Sequence, residues 1–179
     1  MARDVYVFNP GPAVLPEPVL ESTSKAVLNF AGTGMSIMEV SHRSKQFEEL
    51  LNNTIALIRK IMGVPDNYKI LFLGGGASLQ FSMVPMNLLA PGQTADYIDT
   101  GNFSANAIKQ AKKVGTVNVA ASTKDVKYVR LPKPEEIKLT PGAAYCHITT
   151  NNTIEGSQWP APPDTKGSVL IADMSSDIL

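Results

Sequence analysis

The chain has 179 residues, 44% hydrophobic and 18% charged, which suits one globular domain or a piece of a larger one and excludes a disordered polymer. Sixteen basic residues balance sixteen acidic ones, which argues against a nucleic-acid coat or a polybasic membrane patch. A lone cysteine, a start without a signal-peptide pattern and no apolar run near the ~18 residues of a membrane span point to a reduced, cytoplasmic chain.

Asn9-Pro10-Gly11-Pro12 is a turn cluster, and Pro16 and Pro18 suit a helix's first turn, where a missing N–H costs nothing. That helix is expected to run to about Phe30 and stop before Gly32 and Gly34. Ser44 to Met62 is the clearest helix. Phe47, Leu50, Leu51, Ile55, Ile58 and Ile61 form one apolar stripe, with Ser44 as N-cap and Gly63 as the stop. Lys69 to Leu73 reads as a buried strand ending in glycines, and Ser78 to Leu89 as a helix in which Pro85 makes a kink or marks an early turn.

The alternation continues with a strand at Ala95 to Asp99, a helix at Ser104 to Val114 closed by Gly115, and a strand at Val117 to Ala120. A further strand is expected at Val126 to Arg130, then a short helix around Pro134 to Lys138. Tyr145 to Thr149 and Val169 to Asp173 read as two more buried strands. Alternating apolar strands and helices imply an α/β fold, a mostly parallel sheet with helices on both faces. Ligands of such sheets gather at the carboxyl ends of the strands.

Five groups at or near those ends carry candidate chemistry. Gly74-Gly75-Gly76-Ala77-Ser78 links a strand to a helix, where free backbone amides and the helix dipole suit an anion; a tight, ligand-free turn is an equal reading. Asp173 closes the last strand and either neutralises a buried cation or caps the next turn, the simpler assignment. Asn151-Asn152-Thr153 offers polar groups for a ligand, or an Asx turn. Phe103 alone reads as core sooner than as a stacking platform. His42 and Arg43, before the long helix, suit a phosphate or carboxylate, or simply sit beside a cap. Cys146 reads as a small core residue and no metal site is expected. A Cys146–His147 nucleophile is rejected because neighbours on a strand face opposite ways.

In order along the chain, the carrying stretches are Asn9-Pro10-Gly11-Pro12-Ala13, Ser41-His42-Arg43-Ser44, Val64-Pro65-Asp66-Asn67-Tyr68, Gly75-Gly76-Ala77-Ser78-Leu79-Gln80-Phe81, Asn151-Asn152-Thr153-Ile154 and Ala172-Asp173-Met174-Ser175-Ser176. Together they resemble the phosphoserine aminotransferase family, class-V pyridoxal 5'-phosphate enzymes of fold type I. The resemblance implies the N-terminal part of the large cofactor domain over residues 16–179, with residues 1–15 as an N-terminal substrate-site arm. It implies that Ala77 and Ser78 hold the cofactor phosphate, Phe103 stacks on the ring, Thr153 bonds its phenolic oxygen and Asp173 pairs with its pyridine nitrogen. His42 and Arg43 would bind the substrate's phosphate.

The implied reaction moves an amino group from glutamate to 3-phosphohydroxypyruvate, giving phosphoserine and 2-oxoglutarate in serine biosynthesis. A cytoplasmic homodimer is implied, with a role in pyridoxine synthesis as a further possibility. Three departures stand out. Phe103 replaces the usual tryptophan, Ser78 cannot supply the arginine charge of some relatives, and the Schiff-base lysine lies beyond the Ala-Asp-Met-Ser-Ser stretch, so no catalytic lysine is expected here. The chain is therefore expected to be an N-terminal fragment that does not turn over alone. Alternatives are another class-V enzyme, such as an alanine–glyoxylate aminotransferase or a cysteine desulfurase, or a non-catalytic module that kept the pocket.

Overall fold

A computed structural model describes residues 4–179, which divide into two compact units, one running to Leu71 and the other from Phe72 to Ile178. In the first, helix α1 (Glu17–Leu28) starts after Pro16 with Pro18 in its first turn. It ends two residues before the expected Phe30, because Asn29 is extended (φ −158°, ψ 92°) and its Oδ1 accepts from the Gly34 amide at 2.8 Å. A 3₁₀ turn, Phe30–Gly32, follows.

Helix α2 (Lys45–Met62) matches its sequence signals. The Ser44 side chain accepts from the Phe47 amide, and Gly63 takes the left-handed conformation at φ 64° that terminates the helix. The Arg59 guanidinium then donates to the carbonyls of Pro65 and Tyr68, both at 2.7 Å, and fastens the following turn to the helix end.

The expected strand at Lys69 to Leu73 is absent. Leu71, Phe72 and Leu73 are exposed, and no described strand takes up the segment's backbone groups. An apolar run makes a strand only where a neighbour pairs with it.

In the second unit, helix α3 (Gly76–Leu88) starts two residues earlier than expected and continues past the buried Pro85. Gly75 before it sits at φ 88°, and a Cβ there would lie 2.5 Å from a Leu79 methyl, so only glycine fits this entry. Strands β1 (Thr94–Asp99), β2 (Thr116–Ser122), β3 (Cys146–Thr149) and β6 (Leu170–Asp173) form a parallel sheet in the order β2-β1-β3-β6. Helix α4 (Asn102–Ala111) links β1 to β2. Two-residue strands β4 (Asn151–Asn152) and β5 (Ser157–Gln158) pair as a small antiparallel hairpin after β3.

Side-chain alternation sorts the core into two layers. On the face of α3 and α4, Phe81, Ala95, Tyr97, Ala107, Ile108 and Tyr145 pack together, with the Tyr97 and Tyr145 hydroxyls 2.7 Å apart. On the other face Ile98, Ala120, Ala121, Cys146 and Ile148 pack against Ile137, Leu139 and Trp159. Cys146 thus sits in the core, its thiol pushed up to about 12 by burial and then by Asp96.

Two strand assignments change. Val126 to Arg130 is no strand. A 3₁₀ turn (Lys124–Val126) precedes left-handed Lys127 and Tyr128 (φ 56° and 59°), and the Tyr128 hydroxyl donates to Asp99 Oδ2 at 3.1 Å, which pulls the chain back over the sheet end. The last strand, β6, is half-buried, with Val169 exposed, because it forms the sheet's edge. No helix among the described residues is long and apolar enough to cross a membrane.

Candidate functional site

The carboxyl ends of β3 and β6 meet the N-termini of α3 and α4 around a cavity of about 170 Å³. Ala77, Ser78, Phe103, Thr153 and Asp173 all line it, although they come from four separate stretches of chain. Ala77 and Ser78 lie in the first turn of α3, where amides have no intrahelical acceptor and the dipole is positive. Phe103, half-buried in the first turn of α4, lines the cavity and also packs against the core.

Asp173 Oδ1 accepts from the Ser175 amide at 3.2 Å and from its hydroxyl at 2.6 Å, as a capping carboxylate does. The other oxygen takes no donor from the described residues. Thr153 donates its hydroxyl to Ser176 Oγ at 3.0 Å, and the Asn151 amide group donates to the same oxygen at 2.8 Å. Asn152 instead turns inward. Fully buried, it accepts from the Thr100 hydroxyl at 3.0 Å and donates to Ser157 Oγ at 3.1 Å.

Two wall residues had no role in the sequence reading. Thr149 is 2% exposed and lines the cavity, and its buried hydroxyl has no partner among the described residues. His147, two residues earlier on the same strand face, stacks on Tyr97 with ring centres 4.8 Å apart and meets Phe81 edge-on. It lines an adjoining space of about 340 Å³ that shares Phe81 and Asp173 in its wall. Burial lowers its pKa to about 4, against a smaller opposing pull from Asp173, so the imidazole is neutral near pH 7, and Nδ1 has no partner among the described residues. Period-two alternation from Thr149 was the available signal for both. A larger cavity of about 520 Å³, among Leu131, Ile137, Leu139 and Trp159, contains none of the candidate residues.

His42 and Arg43 belong to the first unit. They are exposed in the turn before α2, where the Arg43 amide donates to Ser41 Oγ at 3.2 Å.

Residues 5–179 match the family model of class-V aminotransferases. The chain is 55% identical over 180 residues to the phosphoserine aminotransferase of Desulfosudis oleivorans, covering 100% of this chain and 49% of that protein. A solved phosphoserine aminotransferase, studied for radiation damage of its Schiff base, superposes with a TM-score of 0.95 at 49% identity, over 99% of this chain and 49% of that one. The pyridoxal-phosphate-bound phosphoserine aminotransferase of Trichomonas vaginalis gives 0.89 at 37% identity, over 94% and 47%. The chain spans about half the length of the curated relatives it matches.

Proposed function

The chain belongs to the class-V aminotransferase family, and from that premise we propose that it carries the cofactor-holding part of a phosphoserine aminotransferase. The whole protein would move the amino group of glutamate to 3-phosphohydroxypyruvate, as a homodimer in the cytoplasm, with residues 1–15 as its substrate-site arm and residues 16–179 as part of the large domain. One observation carries this reading: five residues from distant stretches line a single cavity at the sheet's carboxyl edge.

The wall suits pyridoxal phosphate. Unpaired first-turn amides of α3 and the Ser78 hydroxyl suit a phosphate dianion. The orphaned Thr149 hydroxyl calls for a polar occupant, since a buried hydroxyl without a partner costs stability. Phe103 would lie against the ring face, and Thr153 would turn its hydroxyl from Ser176 to the phenolic oxygen. The free oxygen of Asp173 would accept from the protonated pyridine nitrogen and keep it charged. When bound, the cofactor supplies an electron sink for the bond broken at the substrate's α-carbon.

Below this wall, His147 stays neutral beside Asp173, so that the Asp173 carboxylate would be the group to meet the ring nitrogen. His42 and Arg43 would grip the phosphate of the substrate, a dianion that suits a planar guanidinium fork.

The test uses the full-length protein supplied with pyridoxal phosphate. Turnover of glutamate with 3-phosphohydroxypyruvate is expected to exceed that with pyruvate or glyoxylate by at least two decades. Equal use of unphosphorylated acceptors, or no turnover, would overturn the proposal.

A further inference from the structure

Phe103 and Thr153 come from different elements, and two contacts fix those elements to each other. The buried Thr100 hydroxyl reaches Asn152 at 3.0 Å, which joins the end of β1 to the hairpin. The Asn102 amide donates to Glu155 Oε1 at 2.8 Å. Asn102 is the first residue of α4 and the immediate neighbour of Phe103, and Glu155 lies in the β4–β5 turn two residues after Thr153. The first-turn amide has no acceptor within its own helix, so the carboxylate supplies one from across the site.

The fit is close. A Cβ at position 101 would fall 2.5 Å from Glu155 Oε2 and 2.6 Å from its Cδ, so the carboxylate is held there only because Gly101 has no side chain. Oε2 itself is buried and takes no donor among the described residues. A glutamate free to reach solvent would pay neither for burial nor for lost rotamers. Ser104 Oγ accepts from the amides of Thr100 and Gly101 at 2.9 Å each, which leaves the Asn102 amide to Glu155. Because this acceptor comes from the hairpin turn, the contact caps the helix and also fixes its end against that turn.

We infer that Glu155 is a positioning residue: by holding the Asn102 amide it sets the Phe103 ring in register with the hairpin turn that carries Thr153. The inference rests on the reading that pyridoxal phosphate lies between those two side chains. Glu155 itself touches neither cofactor nor substrate in this arrangement.

The experiment compares Glu155→Ala, Glu155→Gln, Gly101→Ala and the double variant Gly101→Ala/Glu155→Ala in the full-length protein. Three quantities are read: the pyridoxal-phosphate dissociation constant by equilibrium dialysis, the induced circular dichroism of the bound cofactor, and deuterium uptake over residues 100–104 without cofactor. Glu155→Ala is expected to weaken cofactor binding by about tenfold, the size of one charge-assisted hydrogen bond, and to change the dichroism. Glu155→Gln keeps an oxygen for the Asn102 amide and should stay within about threefold of wild type. Gly101→Ala should match Glu155→Ala, yet add less than about twofold in its background, because no carboxylate remains to be displaced.

Unchanged binding and dichroism in Glu155→Ala would overturn the inference, as would a glutamine variant as impaired as the alanine one, or full additivity in the double variant. If wild type fails to bind pyridoxal phosphate, the functional reading falls on its own. In that case faster deuterium uptake in Glu155→Ala but not Glu155→Gln still supports the latch, and equal uptake in all variants refutes it.

Discussion

Replacing Asp99 should loosen the scaffold that carries the site. Asp99 ends β1, is 7% exposed, and accepts hydroxyl donors from three elements: Ser104 of α4 at 3.1 Å, Ser122 of β2 at 2.9 Å and Tyr128 of the following turn at 3.1 Å. Bonds to an ionised acceptor contribute about 1.5–3 kcal/mol, against about 0.5–1.5 kcal/mol for neutral ones. In Asp99→Asn the amide oxygen can keep the Ser122 and Tyr128 bonds but loses the charge, so about 2 kcal/mol should go. Asp99→Ala removes all three and should cost about 4 kcal/mol. At ~2–4 °C per kcal/mol for a chain of this size, the asparagine variant should melt roughly 4–8 °C lower.

Tyr128 gives an independent readout, since burial and then Asp99 raise its phenol to about 12. A phenol raised above its ordinary value of 10.0 stabilises the fold fully below pH 10, and that contribution is lost as pH climbs towards 12. Asp99→Asn should lower the Tyr128 pKa and move alkaline unfolding to lower pH, as followed by tyrosinate absorbance alongside thermal melts. An asparagine variant melting within 1 °C of wild type (roughly the error of such comparisons), with Tyr128 titrating as before, would refute this role of Asp99.

Asp173→Asn should reduce kcat of the full-length protein far more than Phe103→Trp, because under the proposed function the first would remove the charge at the pyridine nitrogen and the second would keep a stacked face; comparable losses would reject that order. Arg43→Ala should lower kcat/KM for the phosphorylated substrate by roughly one to two decades and spare the glutamate half-reaction, with Arg43→Lys recovering only part; single-turnover kinetics showing equal loss in both halves would reject phosphate recognition. His147, buried and lowered to about 4, should stay neutral in NMR titrations down to that pH. Its contribution to stability should be complete above pH 6.5 and fade as pH falls from there towards 4, and a titration midpoint near 6.5 in the folded protein would contradict the burial.

Local chemistry made α2 legible: an N-cap serine and a terminating glycine act within one element and operate as read, while Leu50 and Ile61 of the apolar stripe stay exposed. The glycine loop and Asp173 were legible for a similar reason, since each stands where an apolar run ends. Resemblance of short motifs supplied the roles proposed for Phe103 and Thr153, which their residue types alone left open between core, turn and ligand contact.

Tertiary structure decided what depends on a neighbour. Lys69 to Leu73 and Val126 to Arg130 have strand composition, yet the first finds no described partner and the second is bent by the reach of Tyr128 to Asp99. The hairpin of β4 and β5 has only two residues a side, too short for any periodicity to announce. Alternation could place Thr149 and His147 on one strand face, but only packing left their buried polar atoms without partners among the described residues. Glu155 is an ordinary surface residue by type, and its position against Gly101 arises from folding a turn onto a helix end about fifty residues away in sequence. Side-chain type and spacing determine which local structures are affordable, whereas pairing, burial and contacts across long loops depend on free energies that exist only once the chain has closed on itself.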